Sequence, residues 1–308
     1  MENAYDIVIV GGGIAGLTAA LYALRARLHV VVIEKRTIGG SIVDANLVEN
    51  FPCFPGGISG SELIKRLVSQ VRGLGLEFKK TQVTEIKLRD NLKWVCTEEA
   101  DYCTPAIIIA SGARPRKLGI PGEDEFIGRG LHYCAICDGN AFIDGEVAII
   151  GGGDSGVTGG LYMTRIASKV ILIEIQPQLG ATAVLRERLY ANPKVSVLCS
   201  TELKAIVGDG GRKRLEIKNL ETGGSSELIV DGVFVYVGIV PNTDICQGIV
   251  ELDSTDQIVV NSDMETSVEG IFAAGDVRSN SPRQALTAAA DGATAALAAE
   301  RYLTSRPY

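Results

Sequence analysis

At 308 residues the chain exceeds one ordinary hydrophobic core, so two domains are expected. Its 46% hydrophobic content supports packed globular structure, and a net charge of −7 weighs against unassisted nucleic-acid binding. The seven cysteines, at 53, 96, 103, 134, 137, 199 and 246, are odd in number and scattered, which fits a reducing cytoplasm better than a secreted disulfide scaffold.

The chain opens with a strand over 5–10, a turn Gly11-Gly12-Gly13-Ile14-Ala15-Gly16, a helix over 15–25 and a second strand over 29–33 that ends at Glu34 and Lys35. Three glycines interrupt this apolar run, no basic segment precedes it, and Arg25 and Arg27 close it, so neither a signal peptide nor a membrane span is expected. Glycines at a strand-to-helix turn let the backbone approach a pyrophosphate, and a carboxylate at Glu34 suits the ribose hydroxyls of a dinucleotide. His29 reads as a loop residue. The Gly39-Gly40-Ser41 turn and the stretch through Asn50, Phe51 and Pro52 read as a loop following a curved surface, suited to contact with a bound cofactor. A helix over 59–74 comes next, with Ser61 as its expected N-cap, and then strands over 82–88, 92–96 and 106–110. The small-residue turn Ala110-Ser111-Gly112 leads into a proline-rich linker, which places a domain boundary near residue 115.

Beyond the linker lies His132-Tyr133-Cys134-Ala135-Ile136-Cys137-Asp138-Gly139. A C-x-x-C pair can hold two electrons as a dithiol and release them as a disulfide, and Asp138 stands where it could move the accompanying proton. Half of a zinc site is the competing reading, but the chain has no second ligand pair downstream. Instead it has a second fingerprint, Gly151-Gly152-Gly153-Asp154-Ser155-Gly156, again preceded by a β-branched run. The same 21-residue step separates Gly13 from Glu34 and Gly153 from Glu174. Two nucleotide modules around one redox dithiol suggest a flavin disulfide reductase. A long alanine-rich helix over 283–303 completes the chain's predicted elements.

The order of these motifs resembles the low-molecular-weight thioredoxin reductase family along nearly the whole chain. The further matches are Gly238-Ile239-Val240-Pro241-Asn242-Thr243 and Gly275-Asp276-Val277-Arg278, followed by Arg283-Gln284-Ala285. The resemblance implies an α/β fold of two Rossmann-like, three-layer ββα nucleotide-binding domains. The FAD domain would be split in sequence, 1–115 plus 244–308, around an NAD(P)H-type domain over 116–243 that carries the C-x-x-C. It implies FAD binding through Gly11, Gly13, Ile14, Ala15, Gly16, Glu34, Lys35, Gly40, Ser41, Asn50, Ala110, Ser111 and Gly112, together with Gly275, Asp276, Arg283, Gln284 and Ala285. It also implies that Cys137 exchanges electrons with the flavin, that Cys134 attacks the disulfide of thioredoxin, and that Asp138 is the acid–base group. Homodimers and a rotation of the two domains at linkers near 115 and 243 belong to the same implication.

The departures fall in the middle domain. NADPH-using members carry a basic H-R-R run after the second module's strand, whereas this chain has Glu174-Ile175-Gln176-Pro177-Gln178-Leu179-Gly180. Glu174 would repel a 2′-phosphate, and Gly159 and Gly160 stand where the family places glutamates. The nucleotide site of Gly151, Gly153, Gly156 and Glu174 therefore reads as degenerate. A protein donor such as ferredoxin is the favoured expectation, NADH the next and a variant NADPH site the last. Tyr308, at the end of Arg306-Pro307-Tyr308, is a candidate to stack on the flavin. Cys53 replaces a glycine common in the family, and Cys96, Cys103, Cys199 and Cys246 are expected to be packing residues. The rival to a disulfide reductase is a flavoprotein redox sensor or partner-binding module without turnover.

Overall fold

A computed structural model describes residues 4–45, 48, 50–89 and 92–305, apart from the side chains of Cys137 and Asp209. Tyr308, with Arg306 and Pro307, lies outside the described residues. The chain divides into two compact units, one of residues 1–114 with 240–308 and one of residues 115–239.

The strands, in chain order, are β1 (Ile7–Val10), β2 (Val30–Ile33), β3 (Glu77–Lys79), β4 (Val83–Arg89), β5 (Leu92–Thr97), β6 (Asp101–Thr104), β7 (Ala106–Ile109) and β8 (Ala113–Pro115). They continue as β9 (Leu131–His132), β10 (Glu146–Ile150), β11 (Lys169–Ile173), β12 (Val195–Leu198), β13 (Thr201–Asp209), β14 (Arg212–Asn219), β15 (Ser225–Val230), β16 (Gly232–Val235), β17 (Ile239–Pro241) and β18 (Ile271–Ala273). The helices are α1 (Ile14–Arg25), α2 (Gly60–Arg72), α3 (Glu123–Phe126), α4 (Ala135–Asp138), α5 (Asp154–Met163), α6 (Ala183–Tyr190) and α7 (Ala285–Ser305).

In the first unit a parallel sheet runs β18-β7-β1-β2-β3. Its strands are unbroken β-branched runs because both faces are covered. Ile7, Ile9, Val30, Val32 and Ile108 pack toward α1, α2 and α7, while Val8, Val10, Val31, Ile33, Ile107 and Ile109 pack toward the antiparallel β4-β5-β6. The strand period of two thus sorts one apolar run into two cores, each fully buried side chain contributing roughly 1.5–3 kcal/mol of transfer free energy. Helices α1 and α7 touch through backbone: a Cβ at Gly292 would lie 2.1 Å from the Ala15 carbonyl oxygen.

The second unit repeats the plan. Its parallel sheet runs β12-β11-β10-β16-β9. Val147, Ile149, Val170 and Leu172 face α5 and α6, and Ala148, Ile150, Ile171 and Ile173 face the antiparallel β13-β14-β15. Each unit is therefore a three-layer ββα sandwich of the Rossmann-like kind. Among the described residues no helix is long and apolar enough to cross a membrane.

Two local expectations are corrected. Ser59, not Ser61, caps α2: its backbone is extended and its hydroxyl accepts the Glu62 N–H at 3.2 Å, three residues on, as the capping geometry requires. The last long helix starts at Ala285, because Arg283 has φ 58° and cannot belong to a right-handed helix.

Candidate active site

In the first unit, the turn after β1 is built for close backbone approach. Gly11 has φ 109°, and a Cβ there would lie 2.3 Å from the Ala110 carbonyl oxygen, so the glycine turn and the 110–112 turn abut. Gly13 bridges to Gly39, and its own Cβ position is open except for the Gly40 Cα at 4.0 Å. The Glu34 carboxylate accepts the Gly12 N–H at 2.8 Å and the Arg36 N–H at 2.7 Å, which fixes it beside the turn. Lys35 and Ser41 are exposed, and Ile14 and Ala15 are buried under the turn. Asn50 and Gln284, 234 residues apart, meet through an Asn50 Nδ2 to Gln284 Oε1 hydrogen bond of 2.9 Å. Ser111 donates to the Asn242 carbonyl at 2.8 Å, which ties the 110–112 turn to the returning chain.

Asp276 follows β18 beside Gly275, whose Cβ position lies 3.1 Å from that of Ala15. The loop is clamped from below. Arg278 makes a two-pronged pair with Asp291 of α7, at 2.9 and 2.8 Å, and Asp291 also accepts the Gly275 N–H. Burial pushes the Asp276 carboxyl up from its usual range, against the opposing pull of the Ser281 hydroxyl and the Arg283 charge. The group thus costs the folded protein stability as pH rises from the ordinary carboxylate pKa through the raised one, and the cost is absent below the ordinary pKa. Asp276→Asn is expected to unfold at a higher temperature than the wild type at pH 7 in the flavin-free state and to bind flavin more weakly. Thermal melts of apo and flavin-loaded protein check both.

In the second unit, the C-x-x-C segment is one helical turn, α4, entered from β9. Cys134 is disulfide-bonded. The turn is held by residues outside the motif. Tyr133 donates to Glu123 at 2.7 Å, and that carboxylate, only 2% exposed, also accepts the Leu118 and Gly119 N–H groups. The Tyr236 hydroxyl accepts the Ala135 N–H at 2.8 Å. His132 Nδ1 lies 3.0 Å from Asp138 Oδ2. Burial raises the Tyr133 and Tyr236 phenols, so both remain neutral hydrogen-bonding groups at physiological pH.

The second glycine turn copies the first. Gly151 has φ 111° and abuts the Tyr236 carbonyl as Gly11 abuts Ala110. Glu174 accepts the Gly152 N–H at 2.5 Å and the Gln176 N–H at 2.8 Å, the same pair of bonds that holds Glu34. The difference lies above it: Leu179 covers Gly152, and Glu174 is 8% exposed. Gly153 and Gly156 keep their places in the turn, with Gly156 against the Gly151 carbonyl.

Sequence reasoning missed Glu123, His132 as a partner of Asp138, and Tyr236. The spacing of a motif carries no mark of Tyr236, 101 residues from Ala135, and the shorter steps from Glu123 to Tyr133 and from His132 to Asp138 each leave the element they start in. Cys96, Cys103, Cys199 and Cys246 carry free thiols, each raised by burial, Cys246 to about 12, so they are poor nucleophiles. Cys53 is exposed with φ 73°, the left-handed region that glycine occupies without penalty. Among the described residues no cluster of His, Cys, Asp or Glu is placed to hold a metal ion.

The sequence profile of the Pyridine nucleotide-disulphide oxidoreductase family matches residues 5–292. A thioredoxin reductase of Treponema pallidum is 42% identical, over 98% of this chain and 98% of that protein. The crystal structure of Lactococcus lactis thioredoxin reductase superposes with a TM-score of 0.95 at 36% identity, covering 98% of this chain and all of that one. A ferredoxin-flavin thioredoxin reductase from Clostridium acetobutylicum matches over 98% of this chain and 99% of its own, with a TM-score of 0.54 at 28% identity.

Proposed function

The chain belongs to the pyridine nucleotide-disulphide oxidoreductase family, in its thioredoxin reductase branch, and from that premise we propose that it reduces thioredoxin through Cys134 and Cys137 with electrons from a protein donor such as ferredoxin. It is an FAD-dependent disulfide oxidoreductase. The first unit's glycine turn, the open space at Gly13, the fixed Glu34 and the clamped Asp276 fit a dinucleotide's diphosphate, ribose and ribitol in turn. Bound FAD would supply the electron pair. Gln284 and Ala285 would present the N-terminal amides of α7 to its negatively charged edge.

The observation that carries the reaction is the C-x-x-C turn of the second unit, with Cys134 in a disulfide and Asp138 beside it on the same turn. Once reduced, one thiolate would attack the thioredoxin disulfide and the second would resolve the mixed disulfide. Asp138 would hold the proton that the first thiol releases and return it to the leaving sulfur.

The donor reading rests on Glu174. A 2′-phosphate placed at this strand end would meet a carboxylate, residues 174–180 contain no lysine or arginine, and Arg186, the first cation after them, is turned to the Leu179 carbonyl at 3.4 Å. NADH is the second reading, because Glu174 has the same backbone cradle as Glu34 and a free 2′-hydroxyl could take its remaining lone pairs. The experiment is an anaerobic titration of the yellow protein, following its visible flavin band. Photoreduced ferredoxin should bleach it rapidly, NADH slowly and NADPH least. Rapid bleaching by NADPH would overturn the donor assignment and leave the disulfide chemistry standing.

A further inference from the structure

Asp138 is half-exposed on a single helical turn, which is a poor support for a group that must deliver a proton to one sulfur and not another. Its carboxylate is nevertheless held by the imidazole of His132, six residues earlier, at 3.0 Å. The two residues bracket the C-x-x-C in sequence. The imidazole is itself immobilised. Its side chain is 12% exposed, its backbone pairs with Phe234 in the parallel sheet, and its ring lies 5.6 Å from the Phe234 ring and 5.5 Å, edge-on, from the Phe142 ring. Those two phenyl rings also pack edge to face on each other at 5.5 Å. An aromatic wall therefore holds the imidazole, and the imidazole holds a half-exposed carboxylate.

We propose that His132 is the positioning residue for the dithiol chemistry: anchored between Phe142 and Phe234, it fixes the Asp138 carboxylate for proton transfer at the C-x-x-C. The proposal rests on the reading of Asp138 as the acid–base group. In each turnover the enzyme's two thiols lose two electrons and two protons and form one S–S bond. The partner's S–S bond breaks and takes up both electrons and both protons. A carboxylate held in one rotamer serves this exchange without first paying the entropy of finding its orientation.

The test is a double-mutant cycle on the full-length, FAD-loaded protein, reduced with dithiothreitol, desalted and mixed with oxidised thioredoxin under single-turnover conditions. His132→Leu keeps the bulk and loses the bond, and should slow the reaction about tenfold to a hundredfold. His132→Asn, whose amide nitrogen sits near the position of Nδ1, should recover most of that loss. In the Asp138→Asn background, His132→Leu should cost nothing further, since its effect passes through the carboxylate. An equal slowing by His132→Leu in both backgrounds, or wild-type speed in His132→Leu or in Asp138→Asn, would overturn the proposal. The same series is run with a small aromatic disulfide, 5,5′-dithiobis(2-nitrobenzoate). Loss of thioredoxin reduction in the wild type, with the His132 dependence intact toward the small disulfide, would mark the partner as wrong and the positioning as right.

Discussion

Serine at Cys134 or at Cys137 is expected to lower thioredoxin reduction by about a thousandfold or more, because an alcohol neither attacks a disulfide nor leaves from one at neutral pH. The loss should be chemical rather than structural. The turn that carries the motif is pinned at Tyr133 by Glu123, at Ala135 by Tyr236 and at Asp138 by His132, and none of these contacts uses a sulfur atom. A disulfide closing so short a loop would contribute roughly 2 kcal/mol at most, so melting temperatures should fall only modestly. Reduction of the flavin by the electron donor should survive in both variants. A coupled assay with oxidised thioredoxin decides the matter: undiminished turnover in both single variants would mean that the electrons leave the protein by another route.

The second large effect concerns Gly159 and has a sign opposite to that given by helix propensity. Alanine in the interior of α5 should stabilise by about 1 kcal/mol relative to glycine. At Gly160 that is the expected result, since a Cβ there meets Leu189, Ile149 and Val170 at 3.6–3.8 Å, ordinary contact distances. At Gly159 a Cβ would lie 2.8 Å from the ring and hydroxyl of Tyr236. The ring must then move, and with it the acceptor of the buried Ala135 N–H. Overpacking and an orphaned donor together predict a net loss of about 2 kcal/mol for Gly159→Ala, and more for Gly159→Glu. Tyr236→Ala should suffer on its own from the lost ring, yet tolerate Gly159→Ala with little added cost. The resulting coupling of about 1–2 kcal/mol between the two sites is readable from denaturant unfolding of the four proteins. Additive behaviour would mean that the ring relaxes freely. The glycine that stands where the family carries glutamate is thus explained by the tyrosine that caps the redox turn.

The same residues show what a sequence discloses and what it withholds. Both glycine turns and both strand-end acids were readable because each is a local pattern with a fixed step, and the structure gives Glu34 and Glu174 matching pairs of backbone bonds. The two-faced apolar strands were equally plain, since burial on both sides leaves no polar residues to interrupt a run. Asn50 with Gln284, Glu123 with Tyr133, and Gly159 with Tyr236 were not readable as pairs. Each is a contact made only when separate segments fold together, and nothing in the local periodicity of either partner encodes it. Ser61 reads as the cap in the sequence although Ser59 is the cap in the structure, because both are serines before an apolar run and only the extended backbone and the Glu62 N–H bond of Ser59 tell them apart.

The split of the first unit around the second has a consequence for synthesis. A ribosome delivers β1, α1, β2 and β7 early, with one face of their sheet still lacking α7 and one edge lacking β18. The second unit is continuous, so it can emerge and close while the first still waits for its final pieces. For that interval Ile108 of β7 lacks the part of its cover that α7 supplies, and the edge of β7 that β18 will take is unpaired. Translation speed through residues 240–305 and the capture of this intermediate by holding chaperones should therefore govern yield more than the stability of the finished protein does.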